Sequence, residues 1–322
     1  MAEDALKEFI QDIDNNKLNQ PTILSNSNDS LGPNIRQKVD KIDADSDWVE
    51  IPLNILPYGK FYKTGTHIMI RPCKTKEIES FSIVNENNPY DVINKLNEVL
   101  QACTKIIQSD SSIVSYREIM YGDRDTLCIL IAKASAKNGR KLEKNAYCTC
   151  SPNDAIPIEL IPANYEYILE DEDIAEFFND DTKVYEFPLE AGNTIKLAPP
   201  TIGLAQDMNT YIFTMTQKSN GKKIPNISFM SNFTYMKAGL GVKEISIEKL
   251  EQEEYNYGKL NDELFMFIDD AVSKMAFGIK KIKKICTICT LKEVSTSFGF
   301  PSGPRSLFIV PNAFKKFIRQ RV

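Results

Sequence analysis

An α+β fold is predicted, built as two related halves that each consist of a β-hairpin followed by helices. Three observations predict it. The first is a repeated series of marks. Near residue 50 the chain reads Glu50-Ile51-Pro52-Leu53, then Gly65-Thr66-His67-Ile68-Met69-Ile70, with Pro72 and Thr75 beyond. Near residue 186 it reads Glu186-Phe187-Pro188-Leu189, then Gly192-Asn193-Thr194-Ile195-Lys196-Leu197, with Pro199-Pro200-Thr201 beyond. Each is strand, turn, strand and proline exit. The second observation is apolar spacing of helical period after both hairpins. The third is a cysteine pair that closes each stretch at nearly the same distance: Cys148-Thr149-Cys150 in one, Cys286-Thr287-Ile288-Cys289 in the other. A constant offset between matching marks signals an internal repeat. The period is too long for a solenoid, so the reading is a diverged duplication of one domain. Two unrelated hairpins with coincident spacing are the alternative.

Residues 1–18 open the chain with Leu6, Phe9, Ile10 and Ile13 on one helical stripe, acids and amides opposite. Residues 19–47 are rich in Asn, Ser and Asp and read as a flexible linker. A short amphipathic helix on a tether cannot bury its stripe alone. It either docks in a partner's groove or folds back on its own domain.

The first half is placed at 48–165. Its hairpin carries an extra loop, Leu56-Pro57-Tyr58-Gly59-Lys60-Phe61-Tyr62, which the second hairpin lacks. Asn88 caps a helix with Pro89 at its first position, where a missing N–H costs nothing. Ile93, Leu96, Leu100, Cys103 and Ile107 follow at helical spacing. Ser115 and Glu118 match a capping box. After Gly122-Asp123, a further helix carries Leu127, Cys128, Leu130, Ile131 and Ala134. Cys103 and Cys128 lie on apolar stripes and read as core residues. Ile156, Ile158 and Leu160 alternate like a strand.

Residues 166–184, with Glu170-Asp171-Glu172-Asp173 at the centre, form an acidic connector, read as a solvated face. The spacing is not that of a Ca²⁺ loop. The second half is placed at 185–322. One helix carries Leu260, Leu264, Phe267, Ile268, Ala271, Val272 and Met275. Leu307–Val310 is a strand candidate, and Ala313, Phe314, Phe317 and Ile318 mark a final helix.

At 322 residues the chain is long enough for about two domains. A net charge of −5 argues against a dedicated nucleic-acid binder. No apolar run is long enough to span a bilayer, and the acidic start lacks the features of a secretory signal. Seven cysteines, an odd number, with no export signal indicate reduced thiols in a cytoplasm.

The Cys286–Cys289 pair has the standard spacing of a zinc knuckle, and Cys148–Cys150 is one residue shorter than usual. Strands are expected after both pairs, at Ile156–Leu160 and at Val294–Phe298. That is the layout of a zinc ribbon split by a long insertion. The expected metal ligands are therefore Cys148, Cys150, Cys286 and Cys289, joining the halves in a zinc-ribbon-like site of four cysteines. Four thiols with no metal are the alternative. The single histidine, His67, reads as an exposed strand residue. Neither a Walker loop nor a dinucleotide fingerprint occurs, and no catalytic residues are assigned: the chain is not expected to be an enzyme.

The first hairpin also carries a resemblance. Ile51-Pro52-Leu53, Gly59-Lys60-Phe61-Tyr62 and Ile68-Met69-Ile70-Arg71-Pro72 with Glu77 resemble the opening segment of T4-type bacteriophage baseplate proteins, the hub or hub-assembly proteins of contractile-tailed phages. The helix Asn94–Cys103 and Gly122-Asp123-Arg124 with the helix after it are also similar. The likeness covers residues 48–150 well and the rest loosely. It implies a virion or assembly protein that acts by binding other tail or baseplate proteins, located in the tail baseplate or in the host cytoplasm during assembly. A homo-oligomer is compatible with it. Tyr58, Phe61 and Tyr62 are then contact residues of an aromatic surface, or they pack on their own hairpin. The rival function is a zinc-ribbon module in a nucleic-acid or transcription assembly, using Lys280, Lys281, Lys283 and Lys284 on phosphates.

Overall fold

The structure is a computed structural model that describes residues 47–136, 141–189, 193–218, 227–258, 260, 262–301 and 303–308. The stripe of Leu6, Phe9, Ile10 and Ile13, the linker before residue 47 and the helix expected around Phe314 lie outside the described residues.

The fold is α+β, with small antiparallel sheets. Strands β1 (Val49–Ile51) and β2 (His67–Ile70) form the first hairpin. Ile51, Ile68 and Ile70 are buried, and Glu50 and His67 point to the other side and pair at 2.6 Å. This is the period-two alternation of a half-buried strand. Helix α1 (Thr75–Ser82) follows the proline exit. Helix α2 (Pro89–Cys103) starts as expected, with the Asn88 side chain accepting the Tyr90 N–H at 3.1 Å. It buries Leu96, Val99, Leu100 and Cys103. The chain turns straight into β3 (Thr104–Ile107), which pairs with β2, and β4 (Ile113–Val114) completes a sheet of order β1-β2-β3-β4. Ser115 caps a single 3₁₀ turn rather than an α-helix. Helix α3 (Arg124–Ser135) is buried almost all round, and Cys128 lies in its core as expected.

Strands β5 (Glu143–Cys148) and β6 (Ser151–Glu159) make a separate hairpin with the first cysteine pair at its tip. Next come β7 (Tyr165–Tyr167), the one-turn helix α4 (Glu172–Ala175) and β8 (Phe178–Asn179). The expected solvated connector is thus structured. Its acids face outward or pair, and Ile174 is buried while Phe177 and Phe178 pack on a core.

The second hairpin is β9 (Val184–Pro188) with β10 (Thr194–Leu197), in a sheet of order β10-β9-β8. Helices α5 (Ile202–Lys218), α6 (Ile227–Gly239), α7 (Ile247–Tyr257) and α8 (Asp262–Lys274) follow. The last hairpin, β11 (Ile279–Ile285) with β12 (Glu293–Ser297), joins β7 in the order β12-β11-β7 and carries the second cysteine pair at its tip. Leu307 ends a 3₁₀ turn, Pro304–Leu307, and Ile309 and Val310 of the strand expected at Leu307–Val310 lie outside the described residues.

The cores do not follow the sequence halves. The largest joins the first sheet, α2 and α3 to β5, β6 and β7, but also to Ile282, Cys286, Val294, Leu307 and Phe308. The Phe81 and Phe308 rings meet edge to face at 4.9 Å. A second core sits under β9 and β10 and includes Tyr58 and Phe61 from the first half. A third lies among α5, α6 and α7. The boundary expected at 166–184 therefore does not separate two cores, because each half sends a segment into the other.

Candidate metal centre

Both cysteine pairs sit at hairpin tips, and the tips face each other. At the first, the ladder runs regularly to Tyr147 opposite Ala155, then shifts so that Cys148 opposes Ser151. This irregularity turns the tip, with Cys148 buried and Cys150 exposed. At the second, the last ladder pair is Ile285 with Glu293. The Cys286 N–H donates to the Lys292 carbonyl at 2.8 Å, and Thr290 N–H donates to the Cys286 carbonyl at 2.9 Å. The turn closes through Thr290 at φ +57°. A left-handed backbone at a β-branched residue is uncommon and costly, so the surrounding contacts must hold it there.

The sulfurs then meet. Cys148 Sγ lies 4.0 Å from Cys289 Sγ, and Cys150 Sγ lies 3.7 Å from Cys286 Sγ. All four sulfurs lie within 4.8 Å of one another. A tetrahedral ion with metal–sulfur bonds of about 2.3 Å needs sulfurs about 3.8 Å apart. The four cysteines are close enough to bind one metal ion, and each pair from one tip is interleaved with the other. The backbone prepares the second tip for charge. N–H groups of Ile288 and Cys289 donate to Cys286 Sγ at 3.4 and 3.5 Å. Those two donors, Cys289 first, draw the Cys286 thiol below its usual range. The N–H groups of Leu291 and Lys292 draw Cys289 down to about 6. Cys150 goes the other way, pushed up to about 12, first by the hydrogen bond it shares with Cys148. The Cys-x-x-Cys tip thus offers polarised sulfurs, and across from it Cys150 holds its proton until a cation displaces it. Two side chains tie the hairpins together as well: at the tips Lys292 Nζ donates to Thr149 Oγ1 at 2.8 Å, and at the other end of the strands Lys144 Nζ donates to the Ser297 carbonyl at 2.8 Å.

The basic run beside this site is largely paired within the chain. Glu166 lies 3.4 Å from Lys281, 3.2 Å from Lys283 and 3.9 Å from Lys280. Glu293 lies 3.4 Å from Lys283 and 4.0 Å from Lys281.

The aromatic loop corrects an expectation. Tyr58, Phe61 and Tyr62 are 7%, 4% and 6% exposed, so they offer no contact surface to a partner. The loop instead coils into two 3₁₀ turns, Leu53–Ile55 and Gly59–Phe61, and plugs the second half. Phe61 meets Phe178 at 5.5 Å and Phe277 at 5.4 Å, both edge to face. The Tyr58 hydroxyl donates to the Phe277 carbonyl at 2.7 Å. Lys60 Nζ sits 4.0 Å from the Phe178 ring centre and 4.9 Å from that of Tyr185, donates to the Tyr185 hydroxyl at 2.9 Å and pairs with Glu170. An ammonium among ring faces with one carboxylate is a cation–π arrangement. Burial alone would raise the Glu170 carboxyl, but hydrogen bonds from Lys60 and Tyr185 outweigh it and hold it below its usual range.

Asp123 anchors the base of the plug. It is fully buried, accepting the Tyr58 N–H at 2.9 Å and the Tyr62 hydroxyl at 2.9 Å. Burial raises its carboxyl to about 7 despite those two donors. Two glycines are required by contact. A side chain at Gly122 would begin 1.8 Å from the Tyr58 ring, and one at Gly59 would begin 1.8 Å from the Leu53 carbonyl oxygen. Lys60, Asp123 and Glu170 were not singled out by sequence. The only signal for the first two was their place in Gly-Lys-Phe-Tyr and Gly-Asp-Arg.

No protein-family model, curated protein or solved structure matches the chain.

Proposed function

We propose that the chain is a non-catalytic structural or assembly component of a contractile phage tail baseplate, stapled by one structural zinc ion. The observation that carries the tail reading is the meeting of two separate segments of the resemblance. Gly59-Lys60-Phe61-Tyr62 and Gly122-Asp123-Arg124 are far apart in sequence, yet Asp123 holds Tyr58 and Tyr62, and Gly122 receives the Tyr58 ring. The loop these marks hold in place carries Phe61 to Phe178 and Phe277 and Lys60 to Tyr185 of the other half, the kind of bracing a protein whose work is mechanical requires. The zinc reading is supported by four sulfurs that lie within 4.8 Å of one another. Four protein ligands leave no open position, the mark of a structural rather than a catalytic site. Bound there, zinc would cross-link two hairpin tips that are remote in sequence.

The zinc-ribbon reading for a nucleic-acid assembly is weaker. Glu166 and Glu293 already neutralise much of the basic run that would face phosphate.

Affinity-tagged protein recovered from infected cells tests the tail reading. Tail or baseplate proteins should co-purify in fixed proportion, and a null allele should yield heads with incomplete or unattached tails. Normal contractile tails in that background would overturn it. Metal analysis of protein purified without chelator should find about one zinc per chain. Cys286→Ser should lose it. Metal-free protein of unchanged melting temperature would overturn the zinc reading and leave the tail reading standing.

A further inference from the structure

The metal-site cysteines are not the only sulfurs that meet. Cys73 and Cys103 have their Sγ atoms 3.7 Å apart. Cys73 follows the β2 exit and is part-exposed, whereas Cys103 ends α2 and is fully buried. Their backbones are already pinned side by side. The Arg71 N–H donates to the Cys103 carbonyl at 3.0 Å, and Ile70 pairs with Thr104 in the β2–β3 ladder. On the far side the Cys73 N–H donates to the Ser135 hydroxyl at 2.7 Å, and that hydroxyl donates to the Ile131 carbonyl at 2.6 Å. Both chain segments are thus fixed by ladder and helix end. With the sulfurs 3.7 Å apart, a disulfide of roughly 2 Å needs them to close by under 2 Å, a shift of the size that side-chain rotation supplies. The Arg71 guanidinium, held by Glu77 at 2.9 Å, interacts with both sulfurs. The hydrogen bond shared with Cys73, and then burial, hold the Cys103 thiol well above its usual range all the same, so Cys103 keeps its proton until Cys73 has been attacked.

We infer that Cys73 and Cys103 form a reversible redox pair that closes into a disulfide when the protein meets a disulfide oxidant such as oxidised glutathione. The part-exposed Cys73 thiolate attacks one glutathione sulfur. A Cys73–glutathione disulfide forms, the oxidant's own S–S bond breaks, and one glutathione leaves as thiolate and takes up the Cys73 proton. The Cys103 sulfur then attacks Cys73 Sγ. The second glutathione leaves and takes up the Cys103 proton. The protein loses two hydrogens and two electrons, and one oxidised glutathione becomes two reduced ones. Burial of Cys103 protects it from direct attack, so the order of events follows from exposure. The new bond would tie the start of α1 to the end of α2 and lock the two-helix segment between them. This redox pair depends on neither the tail reading nor zinc.

Full-length protein as purified, equilibrated in glutathione buffers of rising oxidised fraction and then alkylated, tests it by intact mass and peptide mapping. The expected result is a species lighter by two hydrogens, a cross-linked peptide joining Cys73 to Cys103, reversal by excess reduced thiol, and a melting temperature raised by roughly 5 °C. Cys73→Ser, at the part-exposed position, should fold and lose the cross-link. Free thiols at Cys73 and Cys103 across the whole range would overturn the inference. A stable glutathione adduct on Cys73, or disulfides confined to Cys148, Cys150, Cys286 and Cys289, would do the same.

Discussion

The two hairpins share a register and differ in everything around it. Ile51 opposes Ile68, Glu50 opposes Met69 and Val49 opposes Ile70. In the second, Phe187 opposes Ile195, Glu186 opposes Lys196 and Tyr185 opposes Leu197. These are the same pairs under the proposed repeat. Beyond the ladder the likeness stops. The first hairpin gains β3 and β4 on its β2 edge, while the second gains β8 on its β9 edge and has α6 lying against β10. The first hairpin's connection carries the aromatic plug, and the second has no counterpart. A ladder of three pairs therefore specifies very little. The inserted loop of the first half and the β11–β12 hairpin of the second each enter the other half's core, and together they make a single structure.

The largest expected effect tests that statement. Phe61→Ala removes a ring that four aromatic neighbours surround, and should cost about 3–5 kcal/mol. Hydrogen exchange should show the loss of protection reaching β8 and β9, not only the first hairpin. If β8 and β9 stay protected, the plug serves its own half alone. Gly122→Ala should cost about 1–3 kcal/mol by displacing Tyr58. Gly241→Ala, whose added methyl would meet nothing within 4 Å but whose φ is +72°, isolates the backbone cost by itself. Denaturant midpoints for the two variants separate contact from conformation.

A pH series sharpens the comparison further. Asp123 is raised from an ordinary 3.8 to about 7 by burial. Between those values the folded chain holds a proton that the unfolded chain releases. Its contribution to stability is therefore greatest below the ordinary value, falls as pH climbs toward 7 and is flat above it. Asp123→Asn should remove that fall, seen as a shallower dependence of the unfolding midpoint between about pH 4 and about pH 7. No equivalent slope should come from the second hairpin. The smallest effect is Glu170→Gln. Lys60 and Glu170 remain about 30% exposed, so the pair is worth about 1 kcal/mol or less, and thermal melts in low and high salt would read it.

Local order was legible in the sequence, and long-range order was not. The hairpins, the Asn88-Pro89 start of α2 and the apolar faces of α2, α3 and α8 follow from period and capping, which act over a few residues. The four cysteines were legible as one site, and the structure brings their sulfurs within 4.8 Å of one another; spacing alone did not show which sulfurs of the two tips, 141 residues apart, would lie closest. Residues 166–184 misled because their composition is acidic, while Ile174 and Phe178, few in number, decide where the segment sits. The aromatic loop misled for the opposite reason. Tyr58 and Phe61 resemble a binding surface in a list of residues, and their covering residues, Phe178, Tyr185 and Phe277, come more than a hundred positions later.

The return of β11 and β12 to the first core has a consequence for synthesis. When the ribosome has made α3 and the β5–β6 hairpin, β7 still lacks the strand it will pair with, and Cys148 waits for a partner 141 residues downstream. At ordinary elongation rates that interval is on the order of ten seconds. Throughout it the nascent chain carries an open strand edge and part of an uncovered apolar face. The first half is begun early and finished last, so a chain stopped before β11 would leave the ribosome with that edge exposed and ready to pair with another copy.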